Sequence, residues 1–289
     1  LRNFSNYVIR HEKMQTNTSK HLMKEKILDI DSAWAKGRLY LVKHAKSIRQ
    51  YNKILKMNEN PIIIGGCGRS GTTLLLSMLS CHPSIYSIPK ETNAFAGEAY
   101  QKNPPEVPTI RVERIYRHLC SFQSLQEKTR WCEKTPKNVV YLSYILDYFG
   151  PGARFIHIVR DGRDVITSKH PDGDGFWVPP SRWINDVMHG YQHRNHDQVI
   201  TVRYEDLTRD KEQVLRRLCD FLDEPYVEAF EHYPESATLK QNRAWGEKEA
   251  RKVDAQSVRR WEADEYQDIV EKLMGLPGAQ HLLEHYGYL

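Results

Sequence analysis

The chain has 289 residues, 40% of them hydrophobic and 27% charged, which is typical of a globular protein with one large domain or two small ones. No run approaches 18 consecutive apolar residues and the N-terminus has no apolar signal segment, which excludes a membrane span or signal peptide within the sequence. The net charge of +5 is uneven, because residues 1–56 carry +9 and the other 233 residues carry −4. Such an asymmetry is typical either of an arm for an acidic partner or of a helix with a solvated basic face.

Residues 20–57 have the apolar periodicity of helices. Apolar side chains recur at spacings of three or four residues from Met23 to Leu55. We expect Gly37 to interrupt this segment, because glycine is unfavourable in a helix interior. The sequence therefore predicts a basic helical extension at the N-terminus.

The periodicity changes after residue 60, where short β-branched runs alternate with helical segments. The predicted elements are strands over 61–65, 154–160 and 199–203 and helices over 72–80, from about Val165 and over about 211–222. Continuous apolar strands of this kind are typical of parallel sheets that are covered on both faces. The pattern predicts a P-loop-like, three-layer α/β fold with a central, mostly parallel sheet flanked by helices.

A glycine-rich loop over residues 66–73 (GCGRSGTT) connects the first predicted strand to its helix. Such a loop turns successive backbone N–H groups toward an anion beside the helix N-terminus. The loop matches the kinase pattern GxxxxGK[ST] except that Thr72 replaces the lysine, and it contains Arg69 instead. The candidate anion ligands in the loop are Gly68, Arg69, Ser70, Gly71, Thr72 and Thr73.

The segment GxxRSGTTLL after an apolar strand resembles the 5′-phosphosulfate loop of sulfotransferases that use 3′-phosphoadenosine 5′-phosphosulfate (PAPS). The arginine form is similar to the tyrosylprotein sulfotransferases and to a broad group of bacterial sulfotransferases. The family binds the 3′-phosphate with an arginine at a strand end and a serine eight residues later, in the first turns of the next helix. Arg160 and Ser168 match that pair, and a guanidinium suits phosphate oxygens.

The resemblance covers about residues 61–289 and implies two further nucleotide contacts. The segment VRYEDL over 202–207 resembles a strand-end motif whose tyrosine lies near the nucleotide, which implies that role for Tyr204. Late cations near Lys252 resemble the loop that closes over the nucleotide. We therefore expect a catalytic domain over residues 58–289, with residues 1–57 packed on it as an extension.

The tyrosylprotein branch also supplies candidate catalytic residues. Its general base is a glutamate in a Glu-Thr pair soon after the first helix, and Glu91-Thr92 matches that pair. Its electrophilic lysine lies in a Cys-x-Lys-x-Pro segment, matched by CEKTP over 132–136, which implies Lys134 beside Arg69. Histidine is the alternative base, as in the aryl and steroid branch, and the candidates are then His82, His170 and His189.

The five cysteines show no metal-binding spacing, and buried reduced thiols are the expectation. In the tyrosylprotein branch the cysteine that corresponds to Cys132 pairs with a cysteine just before the catalytic glutamate. Ser87 or a neighbour stands at that place here, so the resemblance implies no such disulfide.

The resemblance implies transfer of a sulfuryl group from PAPS to a hydroxyl, or less readily an amine, with release of the 3′,5′-bisphosphate PAP and without a metal. We expect a small-molecule acceptor, with carbohydrate or protein tyrosine as alternatives, no nucleic-acid partner and a homodimer as an open possibility. A cytoplasmic location is favoured, and the Golgi lumen stays open if an anchor upstream of Leu1 has been removed.

Two alternatives come from other classes of protein. A P-loop kinase or NTPase would require the lysine that Thr72 replaces. A non-enzymatic module for an acidic polymer would explain the basic N-terminal segment and would leave both anion motifs unexplained.

Overall fold

The computed structural model describes residues 19–101, 103–122, 125, 127–170, 175–241, 249 and 258–289, with side chains from Ile30 onward. Its centre is a sheet of five parallel strands in the order β2-β3-β1-β4-β5. The strands are β1 (Ile62–Gly66), β2 (Ile85–Ser87), β3 (Arg130–Lys134), β4 (Arg154–Val159) and β5 (Val199–Arg203). The predicted α/β fold with a parallel sheet is confirmed, and β2 and β3 are additional strands.

Helices cover both faces of this sheet. In chain order they are α1 (Ser19–His44), α2 (Ile48–Met57), α3 (Thr72–Leu79), α4 (Glu113–Ser121), α5 (Leu142–Phe149), α6 (Gly162–Ile166), α7 (Pro180–Gln192), α8 (Tyr204–Arg209), α9 (Lys211–Leu222), α10 (Gln267–Met274) and α11 (Ala279–His285). Among the helices of the described residues, none has the length and apolarity needed to cross a bilayer.

Alternate residues of the central strands face two separate apolar cores. Ile63 and Phe155 point into the core that α1, α2, α4 and α5 complete. Ile62, Ile64 and Ile156 point to the opposite face, where α3 and α9 pack. Because side chains alternate along a strand, this double burial explains why the strands read as continuous apolar runs.

The expectation that Gly37 interrupts the first helix is wrong, because α1 continues through it to His44. Gly37 lies on the buried side of α1, where a Cβ atom would come within 2.6 Å of Val112 Cγ1 and 2.9 Å of Tyr116 Cε2. Glycine therefore allows α1 to approach α4 closely. The chain breaks instead between His44 and Ile48, where the Ser47 side chain caps α2 by accepting from the N–H of Gln50.

The helix after β4 also differs from the prediction. It begins at Gly162, capped by Asp161, and ends at Ile166, so it is one short turn earlier than expected. Ser168 consequently lies just beyond the end of this helix and not in its first turns. The physical reason is the Asp161 carboxylate, which accepts a hydrogen bond from the N–H of Arg163 at 2.9 Å and fixes the start of the helix.

His157 lies in β4, at the centre of the sheet, and its ring is fully buried. Burial, with a smaller effect of the nearby His193, lowers the pKa of His157 to about 3. An unfolded chain binds a proton at its histidines near pH 6.5. The folded state therefore lacks that proton between pH 6.5 and 3, and the free energy of unfolding decreases as the pH falls through this range.

We expect this group to contribute a slope of up to about 1.4 kcal/mol per pH unit below pH 6.5, and His157→Asn to remove that slope. Urea unfolding of both proteins at a series of pH values between neutral and acidic measures it. Because the two proteins share all other titrating groups, the difference between their slopes reports on His157 alone. Equal slopes in the two proteins would contradict the assignment of a buried neutral imidazole.

Candidate active site

The predicted site residues converge at the carboxyl edge of the sheet. The loop after β1 contains Arg69, Arg160 follows β4, and Tyr204 follows β5. Lys134 is the last residue of β3, and Glu91 lies shortly after β2. In open parallel sheets, ligands bind outside the carboxyl ends of the strands, and this edge therefore holds the candidate site.

The loop after β1 is shaped for an anion. Arg69 and Gly71 both adopt left-handed backbone conformations, with φ of 69° and 91°. A Cβ atom at Gly71 would lie 2.5 Å from Tyr204 Cδ2, so the tyrosine ring packs directly on this turn. The Ser70 hydroxyl is buried and has no hydrogen-bond partner, while Thr72 and Thr73 are buried at the start of α3. A buried hydroxyl without a partner beside the N-terminal N–H groups of a helix fits a bound anionic group.

Arg160 is held in place by contacts to this loop and to neighbouring elements, among them an ion pair in which its Nη2 lies 3.8 Å from Asp164 Oδ2. Its Nη1 donates to the backbone oxygen of Arg69 at 3.1 Å, and its guanidinium carbon lies 4.5 Å from the centre of the Tyr204 ring. The backbone oxygen of Arg160 accepts from Trp183 Nε1 at 3.1 Å. A guanidinium fixed in this way can contact an anion with little loss of side-chain entropy.

Ser168 contacts a cation that the sequence did not predict for this site, Arg260. Arg260 Nη2 donates to Ser168 Oγ at 3.3 Å, and Ser168 Oγ donates to the backbone oxygen of Asp164 at 3.0 Å. The Asp164 carboxylate accepts from the N–H of Arg259 at 2.9 Å and from that of Trp261 at 3.3 Å, which docks the Arg260 segment. Arg260 lies eight residues after Lys252, and no local motif in the sequence marks it.

The three arginines repel one another in the absence of an anion. Burial lowers the pKa of Arg69, and the positive charges of Arg160 and Arg260 lower it further. Burial and Arg160 likewise lower the pKa of Arg260. Arginine stays charged at any accessible pH, and the buried Asp164 carboxylate, whose Oδ2 lies 3.8 Å from Arg160 Nη2, offsets part of this positive charge. A group with several phosphate or sulfate charges fits this cluster.

Glu91 and Lys134 form a close ion pair at the same edge. Lys134 Nζ lies 2.5 Å from Glu91 Oε1, and the lysine side chain is 1% exposed whereas the glutamate side chain is 37% exposed. β2 and β3 are adjacent parallel strands, which brings residues 43 positions apart into contact. The pair thus joins a buried cation to a carboxylate that solvent or a second substrate can reach.

Glu133 is a fully buried carboxylate directly behind this pair. Its Oε1 accepts from Thr92 N–H at 3.1 Å, from Thr92 Oγ1 at 2.9 Å and from Thr135 Oγ1 at 2.7 Å. Its Oε2 accepts from Asn138 Nδ2 at 2.7 Å. Burial raises the pKa of Glu133, and these donated hydrogen bonds oppose that rise. The carboxylate therefore ties the neighbour of Glu91 to the neighbour of Lys134, a role that the sequence analysis did not foresee.

The structure separates one alternative base from the site. His82 precedes β2, at the opposite edge of the sheet, where its Nε2 lies 3.0 Å from the backbone oxygen of Pro225. His170 stacks on Trp177 at a ring-centre distance of 4.4 Å, and His189 belongs to α7. Lys252 lies outside the described residues.

The five cysteines are buried free thiols. Cys132 on β3 is in register with Ser87 on β2, so the residue beside it on the neighbouring strand is a serine. This agrees with the expectation of reduced thiols.

Comparison with known proteins decides the family. A family model described as "Sulfotransferase family" matches residues 61–228, which is more than half of the chain. The chain belongs to the sulfotransferase family. This confirms the resemblance carried by the loop after β1 and by the Arg160 motif.

Relatives of this sulfotransferase-family chain include longer proteins. A protein-tyrosine sulfotransferase of Drosophila melanogaster is 28% identical over 235 residues, which cover 72% of this chain and 46% of that protein. The chain spans about half the length of the curated relatives that it matches.

Two solved structures show the same fold. The sulfotransferase domain of the Synechococcus PCC 7002 olefin synthase has a TM-score of 0.55 at 21% identity, over 80% of this chain and 94% of that one. The sulfotransferase domain from the curacin biosynthetic pathway has a TM-score of 0.52 at 18% identity, over 80% of this chain and 98% of that one.

Glu133→Gln tests the buried carboxylate as a positioning residue. The amide would present a donor to groups that already donate, so that at least one buried hydrogen bond is lost at a cost of about 1–3 kcal/mol. We expect kcat for sulfuryl transfer to fall about tenfold or more, with the KM for PAPS and the affinity for PAP unchanged. Glu224→Gln, at the opposite edge of the sheet, is the matched control. Unchanged kcat in a folded Glu133→Gln protein would show that the carboxylate does not position the pair.

Proposed function

We propose that this chain transfers a sulfuryl group from PAPS to an acceptor hydroxyl. The observation that carries the proposal is that Arg69, Arg160 and Arg260 lie near one another at the same carboxyl edge of the sheet as the Glu91–Lys134 ion pair. Three like charges need a polyanionic ligand, and a carboxylate–lysine pair at that edge supplies the acid–base groups of a group transfer. Family membership supports the same reaction class.

The chain offers two separate anion sites for such a nucleotide. The loop over Gly68–Thr73, with the Ser70 hydroxyl and the N–H groups at the start of α3, fits the 5′-phosphosulfate. Arg160, Ser168 and Arg260 fit the 3′-phosphate, and Tyr204 places an aromatic face behind Arg160. We include Lys252 among the nucleotide contacts on the resemblance.

PAPS, when bound, supplies an activated sulfuryl group joined to the 5′-phosphate by a bridging oxygen. Glu91 accepts the proton of the acceptor hydroxyl while the acceptor oxygen forms its bond to sulfur. Lys134 and Arg69 donate to the bridging oxygen as its bond to sulfur breaks, which stabilises the charge that accumulates there. The direct contact between Glu91 and Lys134 supports this assignment, because it keeps the proposed base and the proposed cation next to each other at one edge of the sheet.

For the acceptor, we propose a hydroxyl of a small molecule, in a protein that acts in the cytoplasm. The five free, buried cysteines and the serine beside Cys132 support the cytoplasmic location, because reduced thiols are typical of that compartment. The Drosophila relative is named for protein tyrosine, and a tyrosine or carbohydrate hydroxyl is the alternative acceptor. We also propose that residues 1–57 are an extension packed on a catalytic domain over 58–289, supported by the burial of Ala33 and Leu41 in the core that covers the sheet.

Two single substitutions test the reaction. We expect Glu91→Gln and Lys134→Ala each to reduce turnover at least about a hundredfold, because each removes a group that acts in the transition state. Transfer of labelled sulfate from PAPS to a pool of acceptors measures it, and calorimetric titration with PAP checks that the nucleotide site is intact.

Lys90→Ala, which removes the exposed cation next to Glu91, is the control and should keep full activity. Full activity of Glu91→Gln would exclude Glu91 as the base. A protein that binds no PAP and transfers no sulfate would refute the proposed function as a whole.

A further inference from the structure

Helix α1 has two apolar faces, and the structure buries one of them. Ala33, Gly37 and Leu41 pack toward the sheet and α4. On the outer side, the Leu39 side chain is 55% exposed and that of Val42 is 68% exposed. At 100° per residue, Leu39 and Val42 lie side by side on the face opposite Gly37. These exposed apolar side chains are available for contact with a partner outside the core.

A third exposed apolar residue lies at the start of α2, close in the chain to the end of α1. Ile48, the first residue of α2, is 80% exposed and is the most exposed large apolar residue of the described chain. Only residues 45–47 separate the end of α1 at His44 from the start of α2 at Ile48. Val42 and Ile48 therefore both lie close to the junction of the two helices. We call the exposed residues Leu39, Val42 and Ile48 with their basic neighbours the outer face.

Cations border the apolar residues of the outer face on both sides. By helical spacing, Lys36 and Lys43 lie on one side of Leu39 and Arg38 lies on the other. Lys46 and Arg49 lie on either side of Ile48 in the sequence, and both are exposed. Residues 32–58 contain seven lysines and arginines and no acid.

Within the part of the chain that the structure describes, the cations of the outer face (Lys36, Arg38, Lys43, Lys46 and Arg49) form no ion pair with a carboxylate. The ion pairs of the described residues join other cations, such as Lys134, Lys137 and Arg216, to their carboxylates. The surface therefore combines exposed apolar side chains with positive charge.

We propose that the outer face binds the surface of a membrane that contains anionic lipids. Leu39, Val42 and Ile48 enter the boundary between headgroups and acyl chains, and the bordering cations contact the anionic headgroups. A nucleic acid or sulfated polysaccharide would use the cations alone and would leave the apolar side chains in water. The outer face contains none of the residues proposed to bind PAPS or the acceptor, so the proposal does not depend on the proposed reaction.

Sedimentation with vesicles tests the proposal on the whole chain. We expect binding to vesicles of phosphatidylcholine with phosphatidylserine, and much weaker binding to phosphatidylcholine alone or at high salt, because salt screens the headgroup charge. The triple variant Leu39→Ser/Val42→Ser/Ile48→Ser should bind at least about tenfold more weakly. Lys43→Gln and Lys46→Gln should each weaken binding about fivefold.

Met274→Ser/Leu289→Ser, which removes exposed apolar side chains elsewhere, is the matched control and should bind like the unaltered chain. Thermal unfolding verifies that each variant is folded. Equal vesicle binding by the triple variant, or no binding to anionic vesicles by the unaltered chain, would overturn the proposal. So would a dimer in light scattering that the triple variant abolishes, because the outer face would then be covered by a second copy.

Discussion

The candidate site depends on three arginines that the fold holds near one another at one edge of a parallel sheet, despite their electrostatic repulsion. Arg69, Arg160 and Arg260 come from distant segments. The charges of Arg160 and Arg260 lower the pKa of Arg69, and the charge of Arg160 lowers that of Arg260. Bringing like charges together in a partly buried place costs free energy that the rest of the fold must offset. The Tyr204 ring and Trp183 hold Arg160 in place. The Asp164 carboxylate holds the Arg260 segment by accepting from the N–H of Arg259. A site that is held in this way is preorganised for a polyanion.

The second half of the site depends on strand adjacency. β2 and β3 are parallel neighbours, so the residues that follow their carboxyl ends meet although the chain between them is long. Glu133 holds the two segments together, because its buried carboxylate accepts hydrogen bonds from Thr92, next to Glu91, and from Thr135, next to Lys134. The position of the Glu91–Lys134 ion pair thus depends on the sheet and on the buried Glu133 carboxylate, and not on the two residues alone. The candidate anion-binding residues and the Glu91–Lys134 ion pair thus share the carboxyl edge of one sheet.

Much of the fold could be predicted because local signals were strong. The β-branched runs before Gly65, Arg160 and Tyr204 are strands, and the glycine loop and Arg160 lie where their motifs indicate. The predicted break at Gly37 was wrong because helix propensity describes an isolated helix. It does not include the close approach of α4, which requires a residue without a side chain at this position. The short helix α6 was misplaced because Asp161 starts it earlier than the apolar pattern does. Arg260 and Glu133 had no sequence signal, since their roles arise from contacts over long separations.

The affinity for PAP, relative to that for adenosine 5′-monophosphate, is the most direct measure of the central claim that the arginine cluster holds a nucleotide with a 3′-phosphate. Calorimetric titration without magnesium should give a PAP affinity at least about a hundredfold higher, because each charge-assisted hydrogen bond contributes about 1.5–3 kcal/mol. Arg160→Ala should remove most of that difference while the weaker ligand binds as before. Equal affinities for the two nucleotides, or tighter binding of magnesium–ATP than of PAP, would contradict the account.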